Sequence, residues 1–97
     1  MTSLERLENW YSSHCNGDWE HQSGIEIDSL DNPGWHITID LTGTKGENKT
    51  LERTKLGRSE NDRLQYWVEN RKFNAACGPK NLSELIGIFC EWFERLA

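Results

Sequence analysis

Apolar residues recur along this chain with two different periods, and the change of period divides it into helix, strands and helix. Leu4, Leu7 and Tyr11 fall at helical spacing, flanked by Trp10. Thr2 and Glu5 precede them at the spacing where a hydroxyl and a carboxylate satisfy the free N–H groups of a helix start. A helix from Ser3 to His14 follows, ended by Asn16-Gly17-Asp18 with Gly17 suited to a left-handed cap. Period two then takes over. Ile25 and Ile27 alternate with Glu26 and Asp28, while Trp35, Ile37, Ile39 and Leu41 alternate with His36, Thr38, Asp40 and Thr42. Asp31-Asn32-Pro33-Gly34 marks a turn between two strands. A three-residue loop, Asn32-Pro33-Gly34 with glycine in the left-handed position, would set Ile27 opposite Ile39 and Ile25 opposite Leu41. Pro33 disfavours a helical Asn32 and leaves the turn type open. This register also sets Glu26 opposite Asp40, a like-charge pair that needs a cation.

Beyond a polar loop at 43–49, three more strands are expected, over 50–56, 63–69 and 71–77. In the second of these Tyr66 and Trp67 point to opposite faces, so the pattern does not orient it. The final helix has the clearest signal. Asn81 and Glu84 cap it after Gly78-Pro79, and Leu82, Leu85, Ile86, Phe89, Phe93 and Leu96 form a stripe widened by Ile88, Cys90 and Trp92. The fold class is α+β: an antiparallel sheet of four to five strands, read as a meander, with an N-terminal and a C-terminal helix packed on one face. The 97 residues suit a single domain, 1–97.

Composition sharpens the picture at two points. Mean hydropathy is −0.80, yet five tryptophans, three phenylalanines and two tyrosines supply a thin, aromatic core. Trp10, Trp35 and Trp92 belong to the apolar stripes, whereas Trp19 and Trp67 sit among polar neighbours and read, each taken singly, as partly buried under loops or as exposed anchors of an interface. Net charge is −5, which argues against direct nucleic-acid binding. Its distribution is lopsided: residues 1–42 hold eight acids against one base, and residues 43–97 hold eight acids and ten bases. Either the first half builds an acidic surface, or the halves pair across neighbouring strands. No apolar run approaches the ~20 residues of a membrane span, and Met1-Thr2-Ser3-Leu4-Glu5-Arg6 lacks the character of a signal peptide. Cys15, Cys77 and Cys90 are odd in number and form no CxxC pair, which suits reduced thiols in the cytosol.

Chemistry-bearing residues concentrate in His14-Cys15-Asn16-Gly17-Asp18-Trp19-Glu20-His21. A metal- or thiol-dependent enzyme centred on Cys15, His14 and His21 is one alternative, and a ligand-binding adaptor is another. The spacing matches no zinc or calcium pattern. A thiolate at a helix C-terminus among Asp18 and Glu20 is electrostatically disfavoured. No phosphate-binding, GxSxG or HExxH motif is present. The expectation is therefore no enzyme, no metal and no cofactor.

Trp10-Tyr11, Cys15-Asn16-Gly17-Asp18-Trp19-Glu20-His21 and Leu30-Asp31-Asn32-Pro33-Gly34-Trp35 resemble the immunity protein 53 family. Ile39-Asp40-Leu41-Thr42-Gly43 and Ala76-Cys77-Gly78-Pro79-Lys80-Asn81-Leu82 resemble it too. The resemblance implies a bacterial immunity protein in a polymorphic toxin system, a cytosolic partner that neutralises a cognate toxin's C-terminal domain. It carries no catalytic or contact residues across. From the residues themselves, the expected contact surface is the wet side of the first hairpin, Glu26, Asp28, Asp40 and His36, with Asp18, Trp19 and Glu20 at its edge. An acidic mask of this kind is compatible with a nuclease toxin, whose cleft would be basic. Exposed aromatics would equally serve a homodimer.

Overall fold

In the computed structural model, which describes residues 1–96, the order is α1 (Ser3–His14), α2 (Trp19–Gln22), β1 (Ile25–Leu30), β2 (Gly34–Asp40), β3 (Leu51–Gly57), β4 (Arg63–Glu69), β5 (Lys72–Cys77) and α3 (Leu82–Glu94). Helix α1 starts with the expected reciprocal cap: Glu5 N–H donates to the Thr2 hydroxyl, and Thr2 N–H to the Glu5 carboxylate. Its buried face is turned from the expected one. Leu7 and Trp10 are buried, while Leu4 and Tyr11 are exposed, because the helix rolls its largest ring into the core.

The strands form one antiparallel sheet in the order β1-β2-β5-β4-β3. The expected meander holds within the β1–β2 hairpin and through β3-β4-β5, but β3 does not follow β2 in the sheet. Instead β5 pairs with β2, and the 41–50 segment carries the chain to the far edge. That segment is tied to the C-terminal half of α3: Lys45 lies over the Phe93 ring, and its Nζ donates to the Leu96 carbonyl at 3.3 Å. A tight hairpin at Asn70-Arg71, both at positive φ, brings β5 back beside β4.

The β1–β2 register also differs from expectation. Ile25 faces Ile39 and Ile27 faces Ile37, so the loop is Asp31-Asn32-Pro33 and Gly34 lies inside β2. Gly34 serves close approach, not a left-handed turn: a Cβ there would lie 2.1 Å from the Cys77 carbonyl oxygen. The apolar sets still share one face, because the shift is by two residues.

That face carries Ile37 and Ile39 of β2, Phe73, Ala75 and Cys77 of β5, and Leu64 and Val68 of β4, all buried. Helix α3 presses Leu85, Ile86, Phe89 and Phe93 onto it, and α1 packs against α3 through Trp10, edge-on to Phe89 and Phe93. Tyr66, stacked near Phe73, joins this side, which turns Trp67 to the other and settles the orientation of β4. Trp35 and Trp92 pack against the core half-buried. Cys77 and Cys90 are buried, and burial pushes both thiols above their ordinary pKa. Among the described residues no helix is long and apolar enough to cross a membrane.

Candidate partner-binding surface

The second face of the sheet has no helix on it, and strand order decides what lies there. One row across the strands reads Asp28, His36, Ala76, Gln65, Lys55. The next reads Glu26, Thr38, Asn74, Trp67, with Arg53 of the β3 bulge stacked on the Trp67 ring at 4.0 Å. At the far end Asp40 faces Lys72, which faces Glu69. The four expected residues Glu26, Asp28, His36 and Asp40 therefore share one surface. The surface is two-poled, with acids on β1 and β2 and with Lys55 and Arg53 on β3.

The shifted register removes the like-charge opposition expected between Glu26 and Asp40. Glu26 faces Thr38, and Asp40 faces a lysine. Asp40 is also partly committed to the backbone, its carboxylate accepting the Thr42 N–H at 2.9 Å. Glu26 and Asp28 stay exposed. The ion pairs among the described residues are Arg6–Glu94, Arg58–Asp62 and Arg58–Glu84, and none uses an acid of this face. A depression of about 340 Å³ opens beside the acids, lined by His21, Ser23, Glu26, Thr38, Asp40 and Lys72.

Asp18, Trp19 and Glu20 have other work. Asn16 Oδ1 accepts the N–H groups of Asp18 and Trp19 at 2.9 Å, a side-chain turn that leads the chain into α2. The Glu20 carboxylate accepts the N–H groups of Asn16 at 2.9 Å and Gly17 at 2.7 Å. These backbone donors, with Glu20's own, hold its carboxyl below the usual pKa. Trp19 is only 8% exposed, packs edge-on against Trp10 and Tyr11, and donates its indole N–H to the Thr42 carbonyl at 2.8 Å. Of its two readings, burial under loops or an exposed anchor, Trp19 thus takes the first. A polar neighbourhood in sequence hid a ring that plugs the end of the core, and Asp18 alone of the three is exposed without a fixed role.

The residues proposed for thiol or metal chemistry are dispersed in role. The His14 ring lies against Trp10 and its Nδ1 is 2.8 Å from the Trp10 carbonyl, while the exposed Cys15 thiol donates to the Tyr11 carbonyl at 3.3 Å. His21 lines the depression on the open face. Among the described residues no three His, Cys, Asp or Glu side chains gather as ligands for an ion.

A polar knot that sequence reasoning did not find closes one end of the sheet. Asn81 stands at the expected N-cap position of α3, but its side chain makes no capping bond; it is buried, accepts the Arg63 N–H at 3.3 Å and donates to Asp62 at 2.9 Å. Arg58 clamps Asp62 and Glu84, holding both carboxyls below their usual range. Arg63 reaches the Asn32 and Pro33 carbonyls at 2.9 and 3.1 Å, and the Trp35 indole donates to the Pro79 carbonyl at 3.1 Å. Several of the motif residues quoted above thus fasten loops and strand ends: Asn16, Trp19 and Glu20 at one end, Asn32, Gly34, Trp35, Pro79 and Asn81 at the other.

Comparison with known proteins agrees with that motif set. No curated protein and no solved structure matches the chain. The model of the family described as Immunity protein 53 matches residues 4–94, nearly the whole chain, and the protein belongs to that family.

Proposed function

We propose that this immunity protein neutralises its toxin by stoichiometric binding, without catalysis, and that the acidic half of the open sheet face covers a basic surface on the toxin's C-terminal domain. One observation carries the reading: the uncovered face presents Glu26 and Asp28 exposed and, among the described residues, outside every ion pair, next to Asp40 and His36. Acids placed this way steer a basic partner from a distance and need not be freed from internal bridges first. A nuclease, whose substrate is polyanionic, is the toxin class with the most suitable surface. Trp19 and Glu20 drop out of the contact set, since they are occupied in holding α2. The free thiols of Cys15, Cys77 and Cys90 suit action in the reducing cytosol.

The test is the association rate with the toxin domain encoded beside the immunity gene. Reversing Glu26, Asp28 and Asp40 together to lysine should slow association by roughly tenfold or more at low salt and flatten its salt dependence. Kinetics equal to wild type would remove this face from the mechanism.

A further inference from the structure

The two edges of the sheet are built differently. Strand β3 is broken by a bulge between Leu51 and Thr54 and carries Glu52, Arg53 and Lys55, devices that discourage another strand from adding. Strand β1 carries Glu26 and Asp28 but none of the other devices. It pairs regularly with β2 over six residues, contains no proline, lysine or bulge, and all of it beyond Ile25 is exposed. The Asp40 N–H donates to the Gly24 carbonyl at 3.0 Å, which fixes the ladder's alternation. Gly24, Glu26 and Asp28 turn their backbone groups to β2, so Ile25, Ile27 and Ser29 turn theirs outward.

Both flanks of this edge are concave. On the helix side Leu7, Tyr11, Ile25 and Ile27, with Glu8 at the rim, line a mostly apolar groove of about 340 Å³, with Ile27 39% and Tyr11 37% exposed. On the open side lie Glu26, Asp28 and the depression shared with Asp40. A strand laid along β1 would therefore meet an apolar slot on one side and carboxylates on the other, in alternation.

We infer that β1 is a docking edge, and that an extended segment of the toxin adds to it as a sixth strand. That segment alternates apolar side chains, which enter the Leu7–Tyr11–Ile27 groove, with Lys or Arg, which lie over Glu26 and Asp28. Main-chain bonds from Ile25, Ile27 and Ser29 supply affinity, and the two flanks supply selectivity. A second copy of this chain is the poorer occupant. Antiparallel pairing of β1 with itself about Ile27 would set Glu26 against Asp28 twice, and like charges directly opposite destabilise a sheet. The inference rests on the toxin-binding reading above and adds the mode of contact.

Ser29→Pro separates the two. It lies at an exposed position, removes an outward N–H, leaves the bonds to β2 intact and keeps every acid of the face. Its affinity for the toxin domain should fall roughly tenfold or more while its melting temperature stays near wild type. In the unaltered protein, the amides of Ile27 and Ser29 should gain protection from hydrogen exchange when the toxin domain is added. Wild-type affinity in Ser29→Pro, or equally fast exchange of those amides with and without toxin, overturns the docking edge but leaves the acidic face standing. A Ser29→Pro-sensitive dimer of the free protein in sedimentation would also overturn it, by giving the edge to a second copy. Failure of the wild-type protein to bind the toxin domain at all would instead sink the functional reading itself.

Discussion

The two faces of the sheet are made by the same five strands and obey different rules. The covered face is filled by Ile37, Ile39, Phe73, Ala75, Leu64 and Val68, and a partner for each is found wherever the apolar alternation continues. The open face is a charge pattern, and its meaning depends on which strands are neighbours. Moving β5 between β2 and β4 brings Lys72 opposite Asp40 and separates the acids of β1 from the bases of β3. Burial tolerates a shift of two residues, whereas electrostatics does not, because such a shift changes every cross-strand charge pair.

Substitutions can break or sharpen this contrast, beginning with the largest expected effect. Phe89→Ala should cost about 3–5 kcal/mol in denaturant unfolding, since the ring is fully buried between Phe73 and Trp10. Trp67→Ala, an equally bulky loss on the open face, should cost about 1 kcal/mol. Equal costs would mean that the second face is also a core. Gly34→Ala should cost about 1–3 kcal/mol, because the added methyl meets the Cys77 carbonyl where β2 joins β5. Asn16→Ala should cost about 1 kcal/mol through loss of the two bonds that lead the chain into α2, with no change in toxin association.

Acid sensitivity belongs to the loop-holding carboxylates. Glu20, Asp62 and Glu84 have pKa values below their ordinary 4.5, 3.8 and 4.5 in the folded protein. A depressed folded pKa contributes stability that is fully present above the unfolded value and is lost as pH falls through the folded one. Stability should therefore decline from about pH 5 downwards, and Glu20→Gln should flatten that acid limb in pH-dependent melting curves. The smallest effect is expected from reversing Glu26 and Asp28, which should alter stability by no more than about 0.5 kcal/mol because neither joins an ion pair among the described residues.

These differences explain what was legible in the sequence. Helix α1, its capping box, the span of β4 and the broad stripe of α3 are local patterns, and the structure has them where the periodicity puts them. The strand order was not legible, because the 41–50 loop carries no sign of which edge it reaches. The β1–β2 register was misread because Gly34 looks like a turn residue, and its real constraint is the Cys77 carbonyl from a distant strand. Asn81 does hold the N-cap position of α3, but its side chain is used elsewhere; its partners, Asp62 and the Arg63 N–H, lie 19 and 18 residues away. Of the candidate surface, Glu26, Asp28, His36 and Asp40 could be grouped from alternation alone. Trp19 could not be placed, since its burial depends on Trp10 and Thr42, and neither is a neighbour in sequence.

The indole N–H of Trp67 offers the most direct test of the claim that the open face receives the toxin. It sits on that face beside Glu69, to whose carboxylate it donates at 3.0 Å. In an NMR titration of the whole protein with the toxin domain, the Trp67 indole signal and the amides of Thr38 and Asn74 should move, while those of Glu91 and Arg95 on α3 and its C-terminal cap stay in place. Shifts confined to the exposed sides of α1 and α3, with the Trp67 signal unmoved, would contradict the account.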